Sequence, residues 1–74
     1  MLNNTMDINT LQNSIIKFSF PDNGYKIQQE TAAKYLTINE TYTVDKIIID
    51  NSTTDVYLKE IKDIPFNSVL FSNI

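Results

Sequence analysis

Seventy-four residues and 8.5 kDa leave room for one small domain. No Cys, His, Trp or Arg occurs, and nine Asp and Glu against six Lys give a formal charge of -3. These numbers exclude thiol and imidazole chemistry, a disulfide framework, a His/Cys metal site and a net positive field for nucleic acid.

A chain of this size buries only about 60% of the surface its unfolded form exposes. Without staples it depends on one compact core or on an oligomer interface. Apolar residues make up 42% and charged residues 20%, a globular balance. Four Phe and four Tyr supply the large packing units. No apolar run nears the ~20 residues of a membrane span. Residues 1–13 carry neither the positive nor the apolar part of a signal peptide. The expected location is the cytoplasm.

In chain order, residues 1–13 are expected to be an N-terminal extension or a short helix. Ile8, Leu11 and Ile15 fall at helical spacing, with Asn4 or Thr5 as cap and Asp7 in the first turn. Residues 14–74 predict a single small β-barrel domain. Ser14 to Phe20 reads as a strand, with Ile16, Phe18 and Phe20 on the core face and Ile15, Lys17 and Ser19 on the other. Pro21-Asp22-Asn23-Gly24 ends it with turn chemistry. Tyr25 to Gln28 reads as a brief return to strand. Gln29 to Leu36 predicts one or two helical turns. Glu30 and Lys34 form a favourable i,i+4 pair there, and Ala32, Tyr35 and Leu36 share one side.

Thr41 to Asp50 predicts the strongest strand. Tyr42 and Val44 face one way. Ile47 and Ile49 continue that face only if one extra residue sits near Asp45-Lys46, which is how a β-bulge reads in sequence. Bulges bend strands, and bending closes a small sheet. Asn51 to Thr54 predicts a polar hairpin loop. Asp55 to Lys62 predicts the next strand, with Val56 and Leu58 inward, Tyr57 and Lys59 outward, and a second bend near Glu60. Asp63-Ile64-Pro65 predicts a turn. Phe66 to Ser72 closes the chain with Val69 and Phe71 inward, and Phe66 joins them only through a 3₁₀ turn at Asn67-Ser68. Ile15 and Leu70 fall opposite the core set. They form a surface patch for a partner or second copy, or they lie beneath Ile8 and Leu11.

The expected fold is mainly β, a small SH3-like open barrel of four to five strands with one short helix. A four-stranded sheet with one packed helix is the alternative.

The segments Lys34-Tyr35-Leu36-Thr37, Tyr42-Thr43-Val44, Thr54 to Glu60 and Phe66-Asn67-Ser68-Val69-x-Phe71 follow one another in that order. They resemble short uncharacterised proteins of Firmicutes, their phages and mobile elements, which share a YTV…TxVYLxE…FNSVxF signature and an SH3-like barrel. The resemblance spans roughly the last 40 residues and implies fold and origin, with no activity to carry over. This chain has Asn39-Glu40 where that group usually has a Gly, and Ser52-Thr53 where it often has Trp-His. Residues 1–13 look like an extension.

Asp45, Asp50, Asp55, Glu60 and Asp63 recur along two strands and their loops. They make either a stripe that docks a basic partner or a solvated face, interleaved with Lys46, Lys59 and Lys62, that discourages edge association. Residues 50–55 lack the sixth-position Gly and twelfth-position Glu of a calcium loop and read as a hairpin turn. No metal or cofactor is expected. Ser68 and the threonines have no base at motif spacing, Asn67 is expected to bond its own turn, and no enzyme activity is expected. Tyr42 is expected in the core and Tyr57 outside it.

The expected function is a non-catalytic protein-interaction module, phage or mobile-element encoded. It would bind and modulate a host protein as an anti-defence or takeover factor, through Tyr57, Asp55, Asp50 and Asp45. The charge favours a basic partner protein over nucleic acid, and no membrane is involved. A nucleic-acid-binding small barrel and a self-assembling structural or accessory protein are the alternatives.

Overall fold

A computed structural model describes residues 5–74. The elements in order are β1 (Ile15–Phe18), α1 (Lys26–Tyr35), β2 (Thr41–Ile49), β3 (Thr54–Leu58), β4 (Pro65–Asn67), a 3₁₀ turn (Ser68–Leu70) and β5 (Phe71–Asn73). They form one antiparallel sheet in the order β4-β3-β2-β1-β5. The chain is mainly β, with β5 returning to β1 and a 3₁₀ turn joining β4 to β5, which is the SH3-like arrangement.

The long strand β2 serves both halves of the sheet. Thr41, Tyr42 and Thr43 pair with β1, while Val44 and Lys46 to Ile49 pair with β3. The register shifts between Val44 and Lys46, so Asp45 is the extra residue that the slipped alternation predicts. The bulge lets Val44 and Ile47 both reach the core, where Val44 is fully buried and Ile47 packs against it. Ile49, expected on the same face, is 60% exposed because β2 has by then run past the core to the hairpin.

The core gathers Ile16 and Phe18 of β1, Ala32 and Leu36 from the helix, Val44, Val56, Leu58, Phe66, Leu70 and Phe71. Three rings run through it. Phe71 tilts against Phe18 at 6.0 Å and meets Phe66 edge-on at 6.3 Å, and Tyr35 adds a further edge contact to Phe66. Phe20, expected on this face, lies beyond the end of β1 and is half-buried.

The helix is longer than its propensity suggests. It starts at Lys26, so Tyr25 to Gln28 belong to its first turn and not to a strand. Three contacts override the strand preference of Tyr25 and Ile27. Gly24 takes φ +79, where an added Cβ would stand 2.7 Å from Gln28 Oε1. The Tyr25 amide donates to Gln28 Oε1 at 2.9 Å, the reciprocal half of a capping box. Asn67 Nδ2 donates to the same oxygen at 2.9 Å, tying the helix start to the 3₁₀ turn.

That turn also corrects the closing segment. Its tighter winding rotates the chain out of strand alternation. Leu70 is therefore fully buried, and Val69, expected inward, is only half-buried. Leu70 belongs to no surface patch, and Ile15 stands 46% exposed without it. Asn67 accepts from the Val69 amide at 3.2 Å and bonds its own turn as expected.

Residues 5–13 hold two turns and no helix. Asp7 organises the first, accepting from the amides of Asn9 and Thr10. The Met6 amide donates to the Phe71 carbonyl at 2.7 Å, and the Met6 side chain is buried in the core. This contact covers the outer edge of β5 in place of the expected helical stripe, leaving Ile8 and Leu11 exposed. Asn4, one of the two expected caps, lies outside the described residues.

Leu70→Ala opens a cavity at a site with no exposure and is expected to cost about 2–5 kcal/mol, whereas Val69→Ala costs less than about 1 kcal/mol. Thermal denaturation of the two variants checks the order, and equal losses would restore plain strand alternation through this segment.

Candidate functional site

Four residues were expected at the site, and the fold divides them. The bulge projects Asp45 and Lys46 beside Tyr57, which Lys46 opposes in register. Lys46 Nζ sits 4.9 Å from the Tyr57 ring centroid, a cation–π contact. On its other side Tyr57 is paired with Pro65 of β4. The chain leaves β3 after Leu58 and turns at Lys62-Asp63. Asp45, Lys46, Tyr57, Lys59, Lys62 and Asp63 thereby line one groove of about 420 Å³.

Asp55 lies two residues before Tyr57 on β3, so strand alternation puts both on the outer face. Asp50 does not join them. It sits at the hairpin tip, where its carboxylate accepts from the Asn51 amide at 2.8 Å and its own amide donates to the Thr53 carbonyl at 2.9 Å. It lines a separate polar hollow with Thr54, Asn67 and Val69.

Glu60 leaves the acidic stripe for a structural reason. The Thr43 amide points toward β3, but the chain has already turned away there and offers no strand carbonyl. The Glu60 carboxylate takes its place. The Thr43 amide donates to Oε1 at 2.8 Å and to Oε2 at 3.0 Å, and the Thr43 hydroxyl donates to Oε2 at 2.7 Å. Just beside this clamp the Lys59 amide donates to the Thr43 carbonyl. Partial burial would raise the Glu60 pKa, but the Thr43 amide and hydroxyl, its own amide and the nearby Lys59 charge together hold it below the ordinary glutamate value.

Tyr42 packs against the core as expected, half-buried, and its hydroxyl accepts from the Thr37 amide at 2.9 Å. The sequence marks Lys46, Lys59 and Lys62 only as interleaved charges and Asp63 as a member of the acidic stripe. Their convergence follows from the bulge and the Lys62-Asp63 turn, and Tyr57-x-Lys59 on one strand was the only local sign of it. Among the described residues no three carboxylates gather as a metal site, and no helix is long and apolar enough to cross a membrane.

Fold and groove together define a small SH3-like barrel with one tyrosine, three lysines and two aspartates lining a groove on its outer face. Residues 13–74 match the family described as Bacteriophage T4 protein Y07B, and the chain belongs to that family. The phage origin implied by the sequence resemblance stands on this match, which says nothing of the YTV…FNSVxF signature itself. No curated protein and no solved structure matched the chain.

Glu60→Gln is expected to lower stability at neutral pH by about 0.5–1 kcal/mol, a modest figure because the group is exposed and solvent-screened. A depressed folded pKa makes the contribution whole above the unfolded value. It is lost as pH falls through the folded one. The wild-type and variant stability curves should therefore converge in acid. Urea titrations across the acid range read this out, and a constant gap down to full protonation would contradict it.

Proposed function

We propose that this chain is a non-catalytic interaction module of bacteriophage that docks on a host protein and modulates it, as an anti-defence or takeover factor does. One observation carries the proposal: Tyr57 lines a groove on the outer face with Lys46 Nζ 4.9 Å from its ring centroid, together with Asp45, Lys59, Lys62 and Asp63. A Tyr placed this way offers large contact area at little entropic cost, as interface anchors do.

Several features support a binding role over a catalytic one. The sequence contains no imidazole or thiol. Its one clearly depressed carboxyl, Glu60, is occupied in holding the bulge. The core takes up Phe18, Phe66, Phe71 and the inward aliphatic side chains, and the groove residues lie outside it. Tyr57, Asp45 and Asp55 form the proposed contact, and Asp50 lies at its margin.

Tagged wild-type chain incubated with lysate of the phage's host is expected to retain one host protein reproducibly. Tyr57→Ala and Asp55→Lys, each checked for folding by circular dichroism, are expected to lose it. Retention indifferent to both substitutions, or no retained protein, would overturn the proposal.

A further inference from the structure

An unpaired strand edge is a template for another strand, and this sheet closes two of its edges. β4 is three residues long and begins with Pro65, which has no amide to donate. On β5 the Met6 amide donates to the Phe71 carbonyl and the Asp7 amide to the Asn73 side chain. β2 differs. Its β1 side is covered as far as Val44, whose amide donates to the Ser14 carbonyl at 2.9 Å and whose carbonyl accepts from the Asn13 amide at 2.8 Å. Beyond the bulge β2 pairs with β3 alone. The Asp50 amide donates to the Thr53 carbonyl, so alternation turns the backbone groups of Ile48 and Lys46 toward β3 as well. Those of Ile47 and Ile49 point the other way. Among the described residues no backbone bond from outside the ladders meets them. Ile48 and Ile49 are 47% and 60% exposed along this edge. Three consecutive β-branched residues with open backbone groups suit an added strand.

We propose that the added strand is β2 of a second copy of this chain, antiparallel, about a two-fold axis at Ile48. The edge complements itself in that register. Ile47 exchanges both backbone bonds with Ile49 of the second copy, and the symmetry repeats the exchange. Ile48 meets its own counterpart. Lys46 falls opposite Asp50 of the second copy, once on each side of the axis. Both charged residues are exposed. Among the described residues only one Asp50 carboxylate oxygen is hydrogen-bonded, to the Asn51 amide. An axis at Ile47 would set Lys46 against Ile48 of the second copy, and an axis at Ile49 would set Asp50 against it. Either shift loses the ion pairs and puts a charge beside an isoleucine. Residues directly opposite share a face, so the pairing sets both Tyr57 grooves on one side of a continuous sheet. It is independent of what those grooves bind.

The test is sedimentation equilibrium of the full chain from about 10 μM to about 1 mM, with amide hydrogen exchange by NMR at both ends of that range. A reversible dimer is expected. The Ile47 and Ile49 amides are expected to gain protection with concentration, while those of Lys46 and Ile48, already in the ladder, stay unchanged. Ile48→Lys sets like charges at the axis and is expected to leave a monomer, folded by circular dichroism. Lys46→Asp is expected to weaken the dimer about tenfold or more. Adding Asp50→Lys to it exchanges the partners and is expected to restore the dimer. A strict monomer throughout, a dimer indifferent to Ile48→Lys, a double exchange no tighter than Lys46→Asp alone, or protection that grows elsewhere and not at Ile47 and Ile49 would each overturn the proposal. A wild-type chain that stays monomeric but loses host-protein capture on Ile48→Lys also overturns it and gives the edge to a host strand.

Discussion

The bend in β2 is the constraint on which both halves of the sheet depend, and the Thr43–Glu60 clamp sits beside it. Beside the bulge, the chain after β3 has turned away and leaves the Thr43 amide without a strand carbonyl, and an unmet amide is costly when water is partly excluded. Glu60 meets it from outside the ladder, with both carboxylate oxygens within hydrogen-bond distance of one amide. With that amide satisfied, β2 can carry Asp45 as an extra residue and bend. The bend turns one nine-residue strand into a corner shared by two halves of the sheet. Seventy-four residues without disulfides can then enclose a core of aliphatic and aromatic side chains on both sides of that corner.

The same bulge makes the outer face. On the inside it brings Val44 and Ile47 to one core. On the outside it sets Asp45 and Lys46 next to Tyr57, and the Glu60 that holds it sits between the Lys59 and Lys62 that line the groove. Core and groove are thus two consequences of one irregularity. The second irregularity, the 3₁₀ turn, works inward only. It buries Leu70 and holds the helix through the Asn67–Gln28 bond.

Much of this was legible in the sequence because two-residue alternation is a strong signal where it holds and informative where it slips. The slip at Asp45-Lys46 announced the bulge, and Val56 and Leu58 announced the core face of β3. Where alternation gave way to turn geometry the reading failed. The 3₁₀ turn expected at Asn67-Ser68 falls instead at Ser68–Leu70, and that shift turns Leu70 rather than Val69 inward. Tyr25 to Gln28 was given to a strand because the contacts that start the helix come from Asn67, 39 residues away. Asp45 and Tyr57 were found together because both follow from strand geometry. Glu60 was counted among surface acids because its partner amide was made available only by the tertiary bend.

The claim that the clamp holds the bulge is tested most directly by following the Thr43 amide resonance by NMR as pH is lowered. With a charged acceptor the amide proton should lie downfield at neutral pH. It should then move with a single midpoint below the ordinary glutamate range, as Glu60 takes its proton, and that movement should be absent in Glu60→Gln. A Thr43 amide that stays fixed through the acid range, or that titrates identically in the variant, would show that something other than Glu60 holds the bend.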